Sequence, residues 1–179
     1  MNLQPYLKRP RRYWLLRFRI PSATGLADLT SQSYNIAQFI ADFIDTGCDD
    51  WMPLSMVWIL GDRLYSRVKT GTICDQRTIT YSNLATISPG VWYRVVIQSS
   101  WKTDNTGFYK IWLNGTKVLE EYNINTTIED DRAFDFHVGL YANGWHDDST
   151  LKGTQGTRQV WLDEIAYDAT FADADLDQS

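Results

Sequence analysis

Glutamate is scarce in this 179-residue chain, which carries only Glu120, Glu121, Glu129 and Glu164. Glycoside hydrolysis needs two carboxylates across one scissile bond. Here Glu120 and Glu121 are neighbours, as are Asp163 and Glu164, so on a strand the two members of each pair point to opposite faces. That pattern does not supply a hydrolytic pair. Histidine is rarer still, with only His137 and His146. No Gly-x-Ser-x-Gly elbow accompanies them, so a Ser–His–Asp triad has no sequence context. Two His and two Cys at unrelated spacings do not compose a zinc site. No apolar run reaches the roughly 18 residues of a membrane span. The stretch Trp14-Leu15-Leu16 is interrupted by Arg17 and Arg19, unlike the apolar region of a signal peptide. A leader, if the protein is exported, has been removed or replaced by Met1. Positive charge is in deficit, with 17 Lys plus Arg against 22 Asp plus Glu and a net charge of -5. This argues against nucleic acid as the main partner, because phosphate binding needs a positive surface.

The two cysteines, Cys48 and Cys74, fit one disulfide in a secreted protein or two idle thiols. Two sequons, at Asn114 and Asn125, are compatible with a secreted glycoprotein. Asp147 and Asp148, or the loop Cys48-Asp49-Asp50, offer oxygen ligands for a structural Ca²⁺, with solvated acidic loops as the plainer reading. Basic residues crowd the start (Lys8, Arg9, Arg11, Arg12, Arg17, Arg19) and acidic ones the tail (Asp173, Asp175, Asp177), as solvated ends often do.

Aromatics are abundant at 14%, with eight Trp and ten Tyr. Rings and β-branched side chains suit pleated sheets. Flat rings also stack on sugars, although most should be core. Strand-like runs bounded by turn residues occur at 13–20, 34–39, 54–60, 64–69, 78–81, 92–101, 107–113, 116–122, 133–142 and 159–167. Ten short strands without long helical periodicity predict an all-β sandwich or barrel. Asn114-Gly115 predicts a type I′ hairpin, because both central positions need φ > 0. Leu60-Gly61-Asp62-Arg63 reads as another tight turn. The length suits one domain, 1–179, with an ordered core of about 11–172 and loose ends.

Alternation assigns faces. Trp14, Leu16, Phe18 and Ile20 form a core face, which turns Tyr13, Leu15, Arg17 and Arg19 to the other side. Phe134, Phe136, Val138 and Leu140 are apolar, against Asp135, His137, Gly139 and Tyr141. In the second strand Tyr34, Ile36, Gln38 and Ile40 share a face against Asn35, Ala37 and Phe39, and alternation does not say which side is core. A polar set opposite the core is what a sheet lining a wet groove looks like. With hydrolysis disfavoured, β-elimination on a uronic acid remains. It needs a base for the C5 proton, an acid for the leaving oxygen and donors that neutralise the carboxylate. Gln38, Arg17, Arg19, His137 and Tyr141 are of the right types, on faces able to converge.

The segment Phe134-Asp-Phe-His-Val-Gly-Leu-Tyr141 resembles the Tyr-Phe-Lys-Ala-Gly-x-Tyr strand of jelly-roll alginate lyases. It is closer still to the Phe-Lys-x-Gly-x-Tyr form of glucuronan and heparin lyase-like proteins. Gly90-Val-Trp-Tyr-Arg-Val-Val-Ile-Gln-Ser-Ser-Trp101 is similar to their central strand, and Lys110-Ile-Trp-Leu-Asn-Gly-Thr116 to their Trp-Leu-Asn-Gly hairpin. Val160-Trp-Leu-Asp-Glu-Ile165 is similar to their closing strand, and Ile36-Ala-Gln38 falls at their Gln-x-His motif. The resemblance covers roughly 13–173 and implies a β-jelly roll of two antiparallel sheets, concanavalin A-like, with a concave groove. It implies an extracellular polysaccharide lyase that cleaves a glucuronan- or alginate-like polymer, without a catalytic cofactor. Tyr141 would be the acid/base and Gln38 the carboxylate neutraliser. Arg17, Arg19, Tyr13 and Gln98 are taken as substrate contacts. Two departures stand out: Ile40 occupies the position of the family's His, and His137 that of its Lys. His137 is therefore the candidate to replace the missing group. An acidic polysaccharide is the expected partner, with no nucleic acid or membrane, and the expected state is monomeric. The rival readings are a non-catalytic carbohydrate-binding module of the same fold, which Ile40 favours, and a lectin-like adhesion domain.

Overall fold

The computed structural model describes residues 12–21, 33–48, 50–142 and 159–170. The expected loose ends, Asp49 and residues 143–158, among them His146, Asp147 and Asp148, lie outside them. Ten strands form: β1 (Arg12–Arg19), β2 (Ser33–Asp42), β3 (Trp51–Leu60), β4 (Arg63–Gly71), β5 (Gln76–Thr86), β6 (Trp92–Ser100), β7 (Gly107–Leu113), β8 (Thr116–Ile124), β9 (Asp135–Ala142) and β10 (Trp161–Asp168). They build two antiparallel five-stranded sheets, ordered β10-β1-β6-β7-β8 and β5-β4-β3-β2-β9. This is the expected jelly-roll sandwich. Every expected window holds a strand. Pairing extends some beyond their apolar run, most of all β5, an edge strand whose ladder to β4 needs backbone partners rather than buried side chains. Among the described residues no helix is long and apolar enough to cross a membrane.

Between the sheets, alternation is obeyed. Trp14, Leu16 and Phe18 of β1 meet Phe39 and the other buried side chains of the second sheet. Trp14 is the hub, with the rings of Phe39, Trp101, Phe136 and Tyr167 at 4.9–6.5 Å. Edge-to-face and tilted pairs of this kind add to plain burial.

One buried polar chain crosses the core. The Tyr109 hydroxyl of β7 lies 2.9 Å from Ser55 Oγ of β3 and 2.9 Å from Ser66 Oγ of β4. Ser66 Oγ donates to the Met56 carbonyl at 2.9 Å. Because a hydroxyl has one proton, Tyr109 donates to Ser66 and Ser55 donates to Tyr109. Burial holds the Tyr109 phenol above its usual pKa, so it stays protonated. The chain ties the first sheet to the strands that floor the groove.

The turns match their sequence signals. Asn114 and Gly115 have φ of 49° and 77°, as a type I′ hairpin requires, and Gly61 has φ 61° in the β3–β4 turn. Cys48 and Cys74, left open by the sequence, are bonded, with Cα atoms 5.3 Å apart. The bond links the β2–β3 connection to the β4–β5 turn.

Candidate active site

The candidate site lies on the outer face of the second sheet, where β2 meets β9. Strand β2 does not alternate as a plain strand would. Against β3 its register shifts between Asn35 and Ala37, and against β9 it shifts at the same place. This bulge turns both Ile36 and Ala37 into the core, at 1% and 2% exposure. The expected face of Tyr34, Ile36, Gln38 and Ile40 is therefore split. Tyr34 and Ile36 are core, whereas Gln38 and Ile40 face the groove and Asn35 joins them. An inserted residue reverses parity along a strand, and bulges recur beside active sites because they re-aim side chains.

The bulge brings Asn35 and Gln38 together. Asn35 Nδ2 donates to Gln38 Oε1 at 2.6 Å. With that oxygen engaged, the Gln38 amide nitrogen is left to donate into the groove. On the neighbouring strand, Tyr141 is the ladder partner of Asn35 and His137 the partner of Gln38. On β9, His137, Gly139 and Tyr141 face outward and Phe136 and Val138 pack against the core, but Leu140, expected on the core face, is 36% exposed where the β2–β9 register shifts. Tyr141 is 39% exposed. Asn35, Gln38, His137, Gly139 and Tyr141 all line one open cleft of about 120 Å³. That volume is too small to enclose a sugar, and it suits a chain lying across the surface. A Cβ added at Gly139 would meet no atom within 4 Å. The floor between His137 and Tyr141 is thus open.

Ile40, at the place of the related proteins' His, sits on the same face, opposite Asp135. An imidazole nevertheless stands beside Gln38, supplied across the ladder by His137.

The remaining expected contacts do not converge on this cleft. Tyr13, Arg17 and Arg19 belong to β1, and Gln98 to β6, of the other sheet. Tyr13 pairs with Gln98, Arg17 with Arg94 and Arg19 with Trp92. Their side chains leave the sandwich on the opposite outer face, with the whole core between them and Gln38. Arg17 is also committed to carboxylates, Asp163 at 3.6 Å and Glu164 at 3.5 Å. Alternation had assigned their face correctly, but it could not say which sheet the strand joins.

Sequence reasoning missed four residues on the groove side. Asn35 is hidden by the bulge. Trp58, Tyr65 and Arg67 lie on β3 and β4. Trp58 pairs with both Asn35 and Tyr65, and Met56 pairs with both Gln38 and Arg67. The alternation Arg63, Tyr65, Arg67, Lys69 against buried Leu64, Ser66, Val68 and Thr70 carried the signal. Among the described residues no group of three or more His, Cys, Asp or Glu is placed to hold a metal ion. Asp147, Asp148 and Asp49, among the oxygen ligands considered for a structural Ca²⁺, fall outside them.

Tyr141, Gln38 and His137 thus share one open cleft on a jelly-roll sheet. The family model for polysaccharide lyases matches residues 3–166, and the chain belongs to that family. Among solved structures it is similar to an endo-β-1,4-glucuronan lyase from the fungus Trichoderma reesei. The identity is 49%, over 98% of this chain and 75% of that one, with a TM-score of 0.91. It shares its fold with an alginate lyase from a Chlorella virus, at 11% identity, 93% and 74% coverage and TM-score 0.63. A family 7 alginate lyase shares it too, at 16% identity, 91% and 64% coverage and TM-score 0.56. No curated protein matches the chain. The protein is an enzyme of the polysaccharide lyase class, and the binding-module reading gives way to it.

Proposed function

We propose that the protein cleaves a β-1,4-linked glucuronan by β-elimination, with Tyr141 as acid and base. The single observation that carries this reading is the cross-strand pairing of Tyr141 with Asn35 and of His137 with Gln38. It gathers a proton-transfer group and carboxylate donors over one open floor. The C5 proton of a uronate becomes acidic only when its carboxylate is stabilised as charge develops. The Gln38 amide, fixed by Asn35, donates to that carboxylate, and His137 adds a second donor beside it. Tyr141 takes the C5 proton, the C4–C5 double bond forms and the bond from C4 to the glycosidic oxygen breaks. The same phenol then returns the proton to the leaving oxygen. In a β-1,4-linked glucuronate the C5 hydrogen and the C4 oxygen lie on one face of the ring, so one residue serves both transfers.

The choice of glucuronan rests on the 49% identity to the fungal enzyme. The reading needs no cofactor. The Cys48–Cys74 bond supports an oxidising, extracellular site of action. The test is digestion of polyglucuronate, alginate and a neutral glucan, followed by ultraviolet absorbance of the unsaturated product. Absorbance should rise with polyglucuronate and stay flat with neutral glucan. Tyr141→Phe should abolish the rise while the protein stays folded, and full activity in that variant would overturn the assignment.

A further inference from the structure

The geometry points to a distal sugar subsite on β3 and β4, formed by Trp58, Tyr65 and Arg67, that holds the polyuronate chain across the strands. This rests on the lyase reading above and assigns the direction and reach of its substrate.

Two rows of side chains run side by side over the groove face. The first is Tyr141, Asn35, Trp58 and Tyr65, each the ladder partner of the next. The second is His137, Gln38, Met56, Arg67 and Thr80, linked in the same way. Neighbouring strands are about 4.8 Å apart, comparable to the length of one pyranose unit. Tyr65 therefore lies roughly 14 Å from Tyr141, about three sugar units along the row.

The chemistry of the rows suits an acidic polymer. The Trp58 and Tyr65 rings have centroids 5.6 Å apart and planes within 17° of each other. The Tyr65 hydroxyl donates to Asn83 Oδ1 at 3.1 Å, which anchors the outer ring. Both side chains are half-buried and lie outside the inter-sheet core. Their aromatic surface meets the apolar face of a pyranose. Arg67, on the adjacent row, meets the carboxylate that each unit carries. Strand β4 presents Arg67 and Lys69 on this face, together with Arg63, whose Nε pairs with Asp62 at 3.3 Å. The carboxylates that the sheet's strands put on the same face, Asp42 and Asp135, sit on β2 and β9, two and three strands away. The β4 end thus favours an anionic chain, and the order of strands fixes the distance from it to Tyr141.

Oligoglucuronates of increasing length provide the test, with kcat/KM read from the ultraviolet signal. In the native protein kcat/KM should climb with length until β4 is reached. Trp58→Ala and Arg67→Gln should match it on the shortest cleaved oligomer and fall behind by about tenfold on the longest, through KM. A loss of equal size at every length would overturn the subsite. Arg67→Gln serves by itself if Trp58→Ala does not fold. Should the native protein yield no unsaturated product, the lyase reading fails. Retardation in a gel containing polyglucuronate then tests the subsite separately: Trp58→Ala and Arg67→Gln should migrate faster than the native protein, and equal retardation would overturn it.

Discussion

Replacing Tyr109 by Phe removes one oxygen from the middle of the core and leaves ring packing intact. The proton count sets the consequence. Ser66 keeps its own proton on the Met56 carbonyl. Ser55, at 0% exposure, loses the acceptor for its proton, which is its hydrogen-bond partner in the structure. Leaving a buried hydroxyl donor unpaired costs about 1–3 kcal/mol. At the midpoint of that range, about 2 kcal/mol, melting should drop by about 4–8 °C for a protein of this size. Ser55→Ala removes the donor itself and leaves Tyr109 bonded to Ser66, so it should cost less, about 1 kcal/mol. The double variant should cost clearly less than the sum of the two, because the orphaned donor is gone. Thermal and urea unfolding of the four proteins measure this. A Ser55→Ala loss larger than that of Tyr109→Phe, or strict additivity, would refute the proposed direction of the hydroxyl chain.

Other consequences follow from single features. Cys48 and Cys74 are 26 residues apart, and closing a loop of that length stabilises by about 3.5 kcal/mol in the chain-entropy model. Replacing both by Ser should therefore lower the urea midpoint, and an unchanged midpoint would count against the bond. Gly139→Ala should melt within about 0.5 kcal/mol of the native protein, since the new methyl meets no neighbour. Its kcat/KM on polyglucuronate should nonetheless fall at least about tenfold, because the methyl stands between His137 and Tyr141 where the sugar must approach. Glu120 has its carboxyl lowered to about 2 by the Lys117 ammonium first, then by the Tyr122 hydroxyl and by Lys110. A depressed folded-state pKa gives stability that is full above about 4.5 and is lost as pH falls toward about 2. The stability difference between the native protein and Glu120→Gln should vanish across that window, and a difference that stays constant with pH would contradict it.

Much of the fold was legible because strand alternation reports burial directly. Trp14, Leu16 and Phe18, and likewise Phe134, Phe136 and Val138, face the core as their spacing demands. Tyr141 and His137 were legible as candidates for the same reason, whereas Gln38 came from the resemblance, because alternation left the faces of its strand open. The β2 bulge was not legible: the segment Tyr34-Asn-Ile-Ala-Gln38 carries no glycine or proline to mark it, and one inserted residue reverses parity for everything beyond. Asn35, the partner of Gln38, was lost with it. Arg17 and Arg19 illustrate a different limit. Periodicity tells which side of a strand a residue takes, but sheet membership depends on distant pairing. That pairing put β1 beside β6 and β10, on the far side of the sandwich. Trp58, Tyr65 and Arg67 were within reach, since each sits opposite buried neighbours in a clear alternation.

Elimination at a uronate breaks the sugar chain without consuming water. Digestion of polyglucuronate in heavy-oxygen water, followed by mass spectrometry of the products, tests it most directly. Elimination should leave non-reducing ends lighter by one water than hydrolysis would give, with no heavy oxygen incorporated by cleavage, and all such products should be lost in Tyr141→Phe. Saturated ends, with one heavy oxygen entering at each cleavage, would contradict it.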